Sequence, residues 1–170
     1  MKMMDFQLRP WTMDDLDRLV KYGDNPRIAK NMTDLFPNPY TPVKARAFIQ
    51  KATREKPYGI LAIEVENQAA GGIGIHPQED IHRKNAEMGY WLGEPYWGQG
   101  IITQAIIQMV GYGFQNFPID RIFARPFGTN IASQRALEKA GFTLEARFEK
   151  ALFKNGEYLD ELIYAIRRNR

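Results

Sequence analysis

A strand, a glycine turn and a helix in direct succession constrain the fold of this chain more than any other feature of its sequence. Residues 86–92 have a strand-like composition, and Gly98-Gln99-Gly100 follows them. Apolar residues then recur at helical spacing: Ile102, Ala105, Ile106, Met109, Val110 and Phe114. A helix that begins at such a turn presents unpaired amides and the positive end of its dipole. The segment therefore predicts an α/β fold with an anion-binding site where this helix begins.

Three ligands and one ligand-free turn are alternatives for this segment. A P-loop needs Lys and then Ser or Thr after its last glycine, but Ile101 follows Gly100. A dinucleotide fingerprint needs Gly or Ala at Thr103 and an acidic residue that ends the next strand, whereas Asp120 precedes that strand. The pyrophosphate of coenzyme A needs close approach to backbone amides, which Gly98 and Gly100 permit. A tight turn that binds nothing is the fourth alternative.

The other elements alternate between strand and helix periodicity, and turn residues separate them. Strands are predicted at 6–9, 58–65, 71–75 and 121–127, with a turn at 66–68. A closing hairpin at 142–154 and 157–166 is predicted to turn at Asn155-Gly156. Helices are predicted to begin at Thr12, Asn25, Thr41 and Asn130, and the last of them ends at Gly141. This order predicts one mixed sheet with helices on its faces and excludes all-α and all-β folds.

Composition narrows the class of protein further. A chain of 170 residues with 44% apolar and 25% charged residues fits one globular domain spanning 1–170. The net charge of +3 is too small to indicate a nucleic-acid binder. A solvated chain end explains the basic cluster Arg167, Arg168 and Arg170 as well as a partner does. The absence of cysteine and the presence of only two histidines exclude disulfides, a thiolate metal site and a triple-histidine site. No segment resembles a signal peptide or a membrane span, so we expect a cytoplasmic protein without a membrane partner.

Five sequence blocks in order make the chain similar to one enzyme superfamily. They are Ala86-Glu87-Met88-Gly89-Tyr90-Trp91-Leu92, Tyr96-Trp97-Gly98-Gln99-Gly100, Asn130-Ile131-Ala132-Ser133, Leu137-Glu138-Lys139-Ala140-Gly141-Phe142, and Asn155-Gly156 with Asp160 and Tyr164. With them the chain resembles the GNAT N-acetyltransferase superfamily, and within it the branch of the ribosomal-protein N-terminal (alanine/serine) acetyltransferases. The resemblance implies a single-domain α/β fold of the α+β type. Its mixed seven-stranded sheet would splay between strands 4 and 5 and carry helices on both faces.

The resemblance also implies acetyl-CoA as the co-substrate and no metal. The pantetheine arm would pair with the backbone of the fourth strand around Trp91 and Leu92, and Asn130 would hold it from the other side. The pyrophosphate would lie at the glycine turn and the start of the next helix, on Gly98, Gln99, Gly100, Ile102 and Thr103. The family pattern is only half kept, because Trp97 and Ile102 replace two of its residues. Neither replacement removes a backbone amide, so the proposed phosphate contacts remain possible.

Two polar residues are candidates for the chemistry. Glu87 interrupts an otherwise apolar strand, and partial desolvation there would suit a base that takes the proton of the amine, directly or through a water. An ordinary ion pair with Arg125 is the alternative. Ser133 either donates a hydrogen bond to the departing sulfur or is an ordinary residue of a first helical turn. The tyrosine that commonly protonates the thiolate in the superfamily would fall at Leu137 or Glu138, so that donor is missing.

The remaining predictions concern the acceptor. Because there is no cysteine, and because His76 and His82 are assigned to a solvated loop, we expect direct attack by a primary amine in a ternary complex. Met32, Phe36 and Tyr40 would border the acceptor site, unless they only pack the core. The resemblance favours a protein N-terminal α-amine, with a small amine (polyamine, amino acid or aminoglycoside) as the enzymatic alternative. A non-catalytic acyl-CoA-binding sensor and a plain nucleotide-binding module are the alternatives from other classes, and both monomer and homodimer are open.

Overall fold

Seven strands and five α-helices form the chain in the computed structural model, which describes residues 4–169. The strands are β1 (Phe6–Pro10), β2 (Ile60–Val65), β3 (Gln68–Pro77), β4 (Asn85–Leu92), β5 (Arg121–Ala124), β6 (Thr143–Lys154) and β7 (Glu157–Arg167). The helices are α1 (Leu16–Gly23), α2 (Pro26–Ala29), α3 (Pro42–Ala52), α4 (Ile101–Asn116) and α5 (Ile131–Lys139). Short 3-10 turns lie at Met13–Asp15, Asp80–His82 and Glu94–Tyr96.

All seven strands belong to one sheet, in the order β1-β2-β3-β4-β5-β7-β6. Neighbouring strands are antiparallel except β4 and β5, which are parallel. Within the described residues, β4 pairs with β5 only through Asn85, Ala86 and Glu87. Since β4 continues to Leu92, the two strands separate after Glu87 and leave a gap beside the C-terminal half of β4. The mixed sheet splayed between strands 4 and 5 is therefore confirmed.

β5 is shorter than the 121–127 strand that its composition predicts. β5 ends at Ala124, and Pro126 accounts for this end because proline has no amide hydrogen to continue a ladder. Phe127 keeps only an isolated bridge to Glu161 of β7. The pairing of β5 with β4 already ends at Phe123, so the C-terminal half of β4 has no strand beside it on that side.

Helices cover both faces of the sheet. α4 packs on the face that carries Ile75, since a Cβ added at Gly113 of α4 would lie 2.8 Å from Ile75 Cδ1. α1 packs on the opposite face of β3 and against α3. Trp11 lies on that second face, 3.4 Å from a Cβ added at Gly72. The two layers place the end of β4 between helices of opposite faces.

The predicted helix starts are confirmed, with one change. Asn25, Thr41 and Asn130 each accept an amide of their own first helical turn through the side chain. Thr12 instead precedes a 3-10 turn that leads into α1, and its amide donates to Asp15 Oδ2 at 2.9 Å. The sequence predicts these helix starts because each cap bonds only to residues close to it in the chain.

The turn between β2 and β3 is tighter than the predicted 66–68. Glu66 and Asn67 have φ of 52° and 62°, the left-handed pair that a two-residue hairpin turn requires. Gln68 is therefore the first residue of β3, which continues to Pro77. The prediction that His76 lies in a loop is wrong, because the longer strand includes it.

The sequence predicts the turn of the β6–β7 hairpin more accurately than it predicts the basic tail after β7. Asn155 and Gly156 have φ of 52° and 79°, so the predicted turn is confirmed. Within the described part of the basic tail, Arg168 is fixed to the fold, whereas Arg167 is exposed. The guanidinium of Arg168 donates to the carbonyls of Phe114 and Ile119 at 2.7 and 2.8 Å. Arg167 pairs with Glu145, and Arg170 lies outside the described residues.

Candidate active site

The backbone of β4 offers unpaired groups along the gap. Gly93, just after β4, donates its amide to the Ala70 carbonyl at 2.7 Å, and hydrogen-bonded positions alternate along the antiparallel β3–β4 ladder. The odd-numbered residues of β4 therefore direct their amides and carbonyls to β3. The even-numbered residues direct theirs to the other side, where β5 has ended: Met88, Tyr90 and Leu92. An extended ligand can pair with this edge as a strand would.

The two residues predicted to contact pantetheine differ in the direction of their backbone groups. Leu92 faces the gap, and its carbonyl accepts the Trp97 indole N–H at 2.7 Å. Trp91 directs its backbone to β3, and its side chain packs edge-on against Phe36 with ring centroids 6.0 Å apart. The strand residues that face the gap are thus Met88 and Tyr90 together with Leu92, rather than Trp91. Trp97, which departs from the family pattern, fastens the glycine turn to the end of β4.

The glycine turn presents a run of free amides. Gly98 and Gly100 have φ of 74° and 79°, the left-handed region that glycine adopts without strain. The first amide to find a backbone acceptor is that of Gln104, which donates to the Gly100 carbonyl. Within residues 4–169, no hydrogen bond is formed by the backbone amides of Gln99, Gly100, Ile102 and Thr103. Amides of this kind at a helix N-terminus fit a pyrophosphate.

A second helix start faces β4 across the gap. Asn130 caps α5 by accepting the Ser133 amide at 3.3 Å. The Ser133 hydroxyl in turn shares a hydrogen bond of 2.5 Å with the phenol of Tyr90. Ser133 therefore does more than occupy a helical turn, because it joins α5 to β4 at the gap.

Tyr90 is a site residue that the sequence patterns do not single out. Burial raises the pKa of its phenol to about 12, so the group is protonated at neutral pH and can donate a hydrogen bond. The tyrosine of the superfamily would fall at Leu137 or Glu138, where this chain has no phenol, whereas this phenol comes from β4. Glu138 itself accepts a hydrogen bond from the Tyr164 hydroxyl at 2.8 Å. Tyr90 lies two residues from both Met88 and Leu92, and alternate residues of a strand share one face. Its side chain is therefore on the face of β4 that α5 covers.

Glu87 lies on the opposite face of β4 and forms the ion pair that was its alternative role. Both its oxygens accept from Arg125, each at 2.9 Å, and Arg125 also approaches Glu161 at 3.9 Å. The hydrogen bond with Glu87 is the main reason why the pKa of Arg125 is raised. The Glu87 side chain keeps 28% of its surface exposed, so the pair leaves it accessible. It stands at the last paired position before the gap.

The two histidines occupy different places. His76 pairs with Glu87 across the β3–β4 ladder, and its pKa is lowered by burial and by Lys51 while Glu87 opposes the shift. His82 lies in the 3-10 turn Asp80–His82. In the part of the chain that the structure describes, no three His, Asp or Glu side chains converge as metal ligands.

An open cleft adjoins Trp91 on the α3 side of the sheet. It has a volume of about 650 Å³ and lies between α3, the segment before it and the β6–β7 turn; we call it the α3 cleft. Phe36 and Tyr40 line it, whereas Met32 packs against the core without lining it. Through its contact with Trp91, Phe36 connects the α3 cleft to β4.

A family model described as an acetyltransferase (GNAT) domain matches residues 5–143. This chain belongs to the GNAT acetyltransferase family. The gap in the sheet, the free amides and the polar groups around Tyr90 and Glu87 therefore lie in a GNAT domain.

Relatives of this GNAT domain differ in their acceptors. The ribosomal-protein-serine acetyltransferase of Escherichia coli is 34% identical over 100 residues, which cover 59% of this chain and 55% of that protein. The spermidine N(1)-acetyltransferase of the same organism is 26% identical over 153 residues, which cover 89% and 80%. The chain spans about half of two Bacillus subtilis relatives, 54% of YoaA and 55% of YdaF.

The fold of this GNAT domain also matches solved structures. A ribosomal L7/L12 α-N-protein acetyltransferase in complex with coenzyme A superimposes with a TM-score of 0.84, and the match covers 98% of both chains at 24% identity. That agreement concerns the backbone architecture.

No helix within residues 4–169 is both long and apolar enough to cross a membrane.

Proposed function

We propose that this GNAT domain transfers acetyl from acetyl-CoA to the N-terminal α-amine of a protein, by direct attack in a ternary complex. One observation carries the proposal: the open edge of β4 leads directly into the run of free amides. An extended arm and a pyrophosphate joined by one chain can occupy both at once. Family membership and the coenzyme A complex of the L7/L12 enzyme support the same ligand.

In this proposal the residues around the gap bind the two parts of acetyl-CoA, the pyrophosphate and the pantetheine arm. The amides of Gln99, Gly100, Ile102 and Thr103, beside Gly98, hold the pyrophosphate, and the Asn130 amide group contacts the pantetheine arm. The arm pairs with the backbone groups of Met88 and Tyr90 that face the gap and with the amide of Leu92, whose carbonyl already accepts the Trp97 indole N–H. Each role uses a donor or acceptor that the fold leaves available.

Glu87 acts as the base for the amine, directly or through one water. Its bidentate pair with Arg125 fixes the carboxylate on the face of β4 opposite Ser133. The amine loses a proton to Glu87, the new C–N bond forms, and the C–S bond breaks. An α-amine with a pKa of about 7.7–8.0 makes a smaller demand on this base than an alkyl amine near 10.4 does. This favours a protein N-terminus over a lysine or polyamine.

Ser133 supplies the hydrogen bond to the departing sulfur. The hydroxyls of Tyr90 and Ser133 share one hydrogen bond. In this proposal the phenol is its donor, so that the Ser133 hydrogen is available to the sulfur. Tyr90 is then a positioning residue. The pair replaces the phenol that the superfamily commonly places on the helix.

Removal of the Ser133 hydroxyl will slow the chemical step. We expect Ser133→Ala to lower kcat about 10- to 100-fold, at the low end of general acid effects because a thiolate is already a tolerable leaving group. Tyr90→Phe should lower kcat about tenfold by misdirecting Ser133. The KM for acetyl-CoA should change less than the kcat in both variants. Steady-state kinetics with a thiol reagent measures this, and an unchanged kcat in Ser133→Ala contradicts the assignment.

The proposed function is tested by a transfer assay on several acceptors. The protein is incubated with acetyl-CoA and either a peptide with a free N-terminus, the same peptide blocked at its N-terminus but containing lysine, or spermidine. We expect thiol release with the free peptide, and mass spectrometry should place the acetyl group on the α-amine. Faster transfer to spermidine would favour the small-amine alternative. Binding without transfer to any amine would favour the sensor.

Cofactor binding is measured separately from transfer. Acetyl-CoA at about 100 times its dissociation constant should stabilise the fold by roughly 2.7 kcal/mol, which a thermal shift detects. NAD serves as the control nucleotide and should give no shift.

A further inference from the structure

The α3 cleft has a net positive charge, because three lysines and one aspartate line it. Its charged lining consists of Asp34, Lys44, Lys51 and Lys154. Asp34 and Lys154 pair with each other at 2.8 Å, and the Lys154 side chain is only 13% exposed. Lys44 and Lys51 are exposed, and within residues 4–169 neither lies within 4.0 Å of a carboxylate oxygen. The cleft therefore has two lysines available to a ligand.

The two lysines are arranged along one line. They lie seven residues apart on α3, so they occupy the same helix face about 10 Å from each other. Three residues of an extended peptide cover a similar length. Phe36 and Tyr40 line the same cleft and offer apolar surface to such a peptide.

The opposite end of the site has the opposite charge. Two carboxylates, Glu87 and Glu161, share the single guanidinium of Arg125. This end is connected to the α3 cleft along β4, because Glu87 and Trp91 lie on the same face of that strand and Trp91 packs against Phe36, which lines the cleft. A ligand with its ammonium group at Glu87 and negative charges farther along matches both ends. A polyamine would instead bring cations to Lys44 and Lys51.

We propose that the α3 cleft selects protein N-termini in which acidic side chains follow the first residue, with Lys44 and Lys51 as the specificity-determining residues. This inference rests on the proposed function, since it takes the amine to react beside Glu87. The lysines contact the acceptor downstream of the reacting amine and take no part in bond making.

The test compares short peptides that begin with serine and differ only in the residues that follow, which are glutamate, glutamine or lysine. We expect kcat/KM to be about tenfold higher for the glutamate peptide than for the lysine peptide, mainly through KM. The preference should shrink at high ionic strength because salt screens exposed charges. Spermidine is included as the small cationic acceptor and should react more slowly than the glutamate peptide.

Charge reversal identifies the lysines responsible. In the double variant Lys44→Glu with Lys51→Glu, the preference should invert towards the lysine peptide, with the kcat/KM of the glutamate peptide lowered about tenfold or more. The control, Lys84→Glu with Lys139→Glu, makes the same charge change at exposed residues outside the cleft and should keep the original preference.

The outcomes separate this inference from the proposed function. Equal rates for the three peptides, or equal effects of the two double variants, would overturn the acidic preference and leave N-terminal transfer standing. A preference for the lysine peptide or for spermidine in the unmodified protein would also overturn it. Absence of transfer to every peptide would overturn both.

Discussion

Glu87→Gln will lower kcat/KM for the amine acceptor by about 10²–10⁴-fold, the range typical of removing a general base. The glutamine keeps one oxygen that can accept from Arg125, so the fold and the binding of acetyl-CoA should be preserved. The activity of the unmodified protein should rise with pH as the amine, with a pKa of about 7.7–8.0, loses its proton. In the variant this rise should remain, because it belongs to the amine, while the rate is lowered at every pH. A pH–rate profile together with a thermal shift for acetyl-CoA measures both effects.

Glu161→Gln is the matched control for this experiment. Glu161 is the second carboxylate beside Arg125, at 3.9 Å from it, so its removal makes the same change of charge without removing the proposed base. We expect less than a threefold change in kcat. Equal losses in the two variants would show that only the charge around Arg125 matters. Full activity of Glu87→Gln would exclude Glu87 as the base.

Ile102→Pro will weaken acetyl-CoA binding about 10- to 100-fold. The change deletes one amide of the glycine turn segment, and a hydrogen bond to a charged group contributes about 1.5–3 kcal/mol. Ile102 is in the first turn of α4, where its amide has no acceptor within the helix, so proline costs little there. Binding is measured by titration calorimetry with acetyl-CoA.

Ile102→Ala separates the amide from the side chain. It removes most of the half-buried isoleucine but keeps the N–H, so its affinity should lie close to that of the unmodified protein. The two variants should melt at similar temperatures without ligand and differ when acetyl-CoA is present. Equal affinities would mean that the amide of residue 102 does not contact the phosphates.

The elements that the sequence predicts well are those whose cause is local. The Asn155-Gly156 turn and the caps at Asn25, Thr41 and Asn130 depend on residues within a few positions, and all are present. The Glu66-Asn67 turn was misplaced because neither residue is glycine, although both have positive φ. That error delayed the predicted start of β3 to residue 71. The other end was predicted at residue 75, whereas β3 continues to Pro77 and so includes His76.

The same distinction applies to the site. The amides of the glycine turn follow from a short segment, so the sequence located them without a structure. Tyr90 and Ser133 are 43 residues apart, and only the packing of α5 on β4 brings them together. The pairing of His76 with Glu87 depends on the register of two strands. Neither pair leaves a periodic pattern in the sequence.

The bond from the Trp97 indole to the Leu92 carbonyl makes the two halves of the cofactor site a single unit. The open edge of β4 and the free amides of the turn are held in a fixed relation before any ligand arrives. Ordering a loop on binding consumes part of the interaction energy, and a turn that is already fastened avoids this cost. The affinity for acetyl-CoA is therefore coupled to a side chain outside the run of free amides that we assign to the phosphates. We expect a substitution at Trp97 to weaken acetyl-CoA binding because the turn becomes less ordered, and not because a contact with the cofactor is lost.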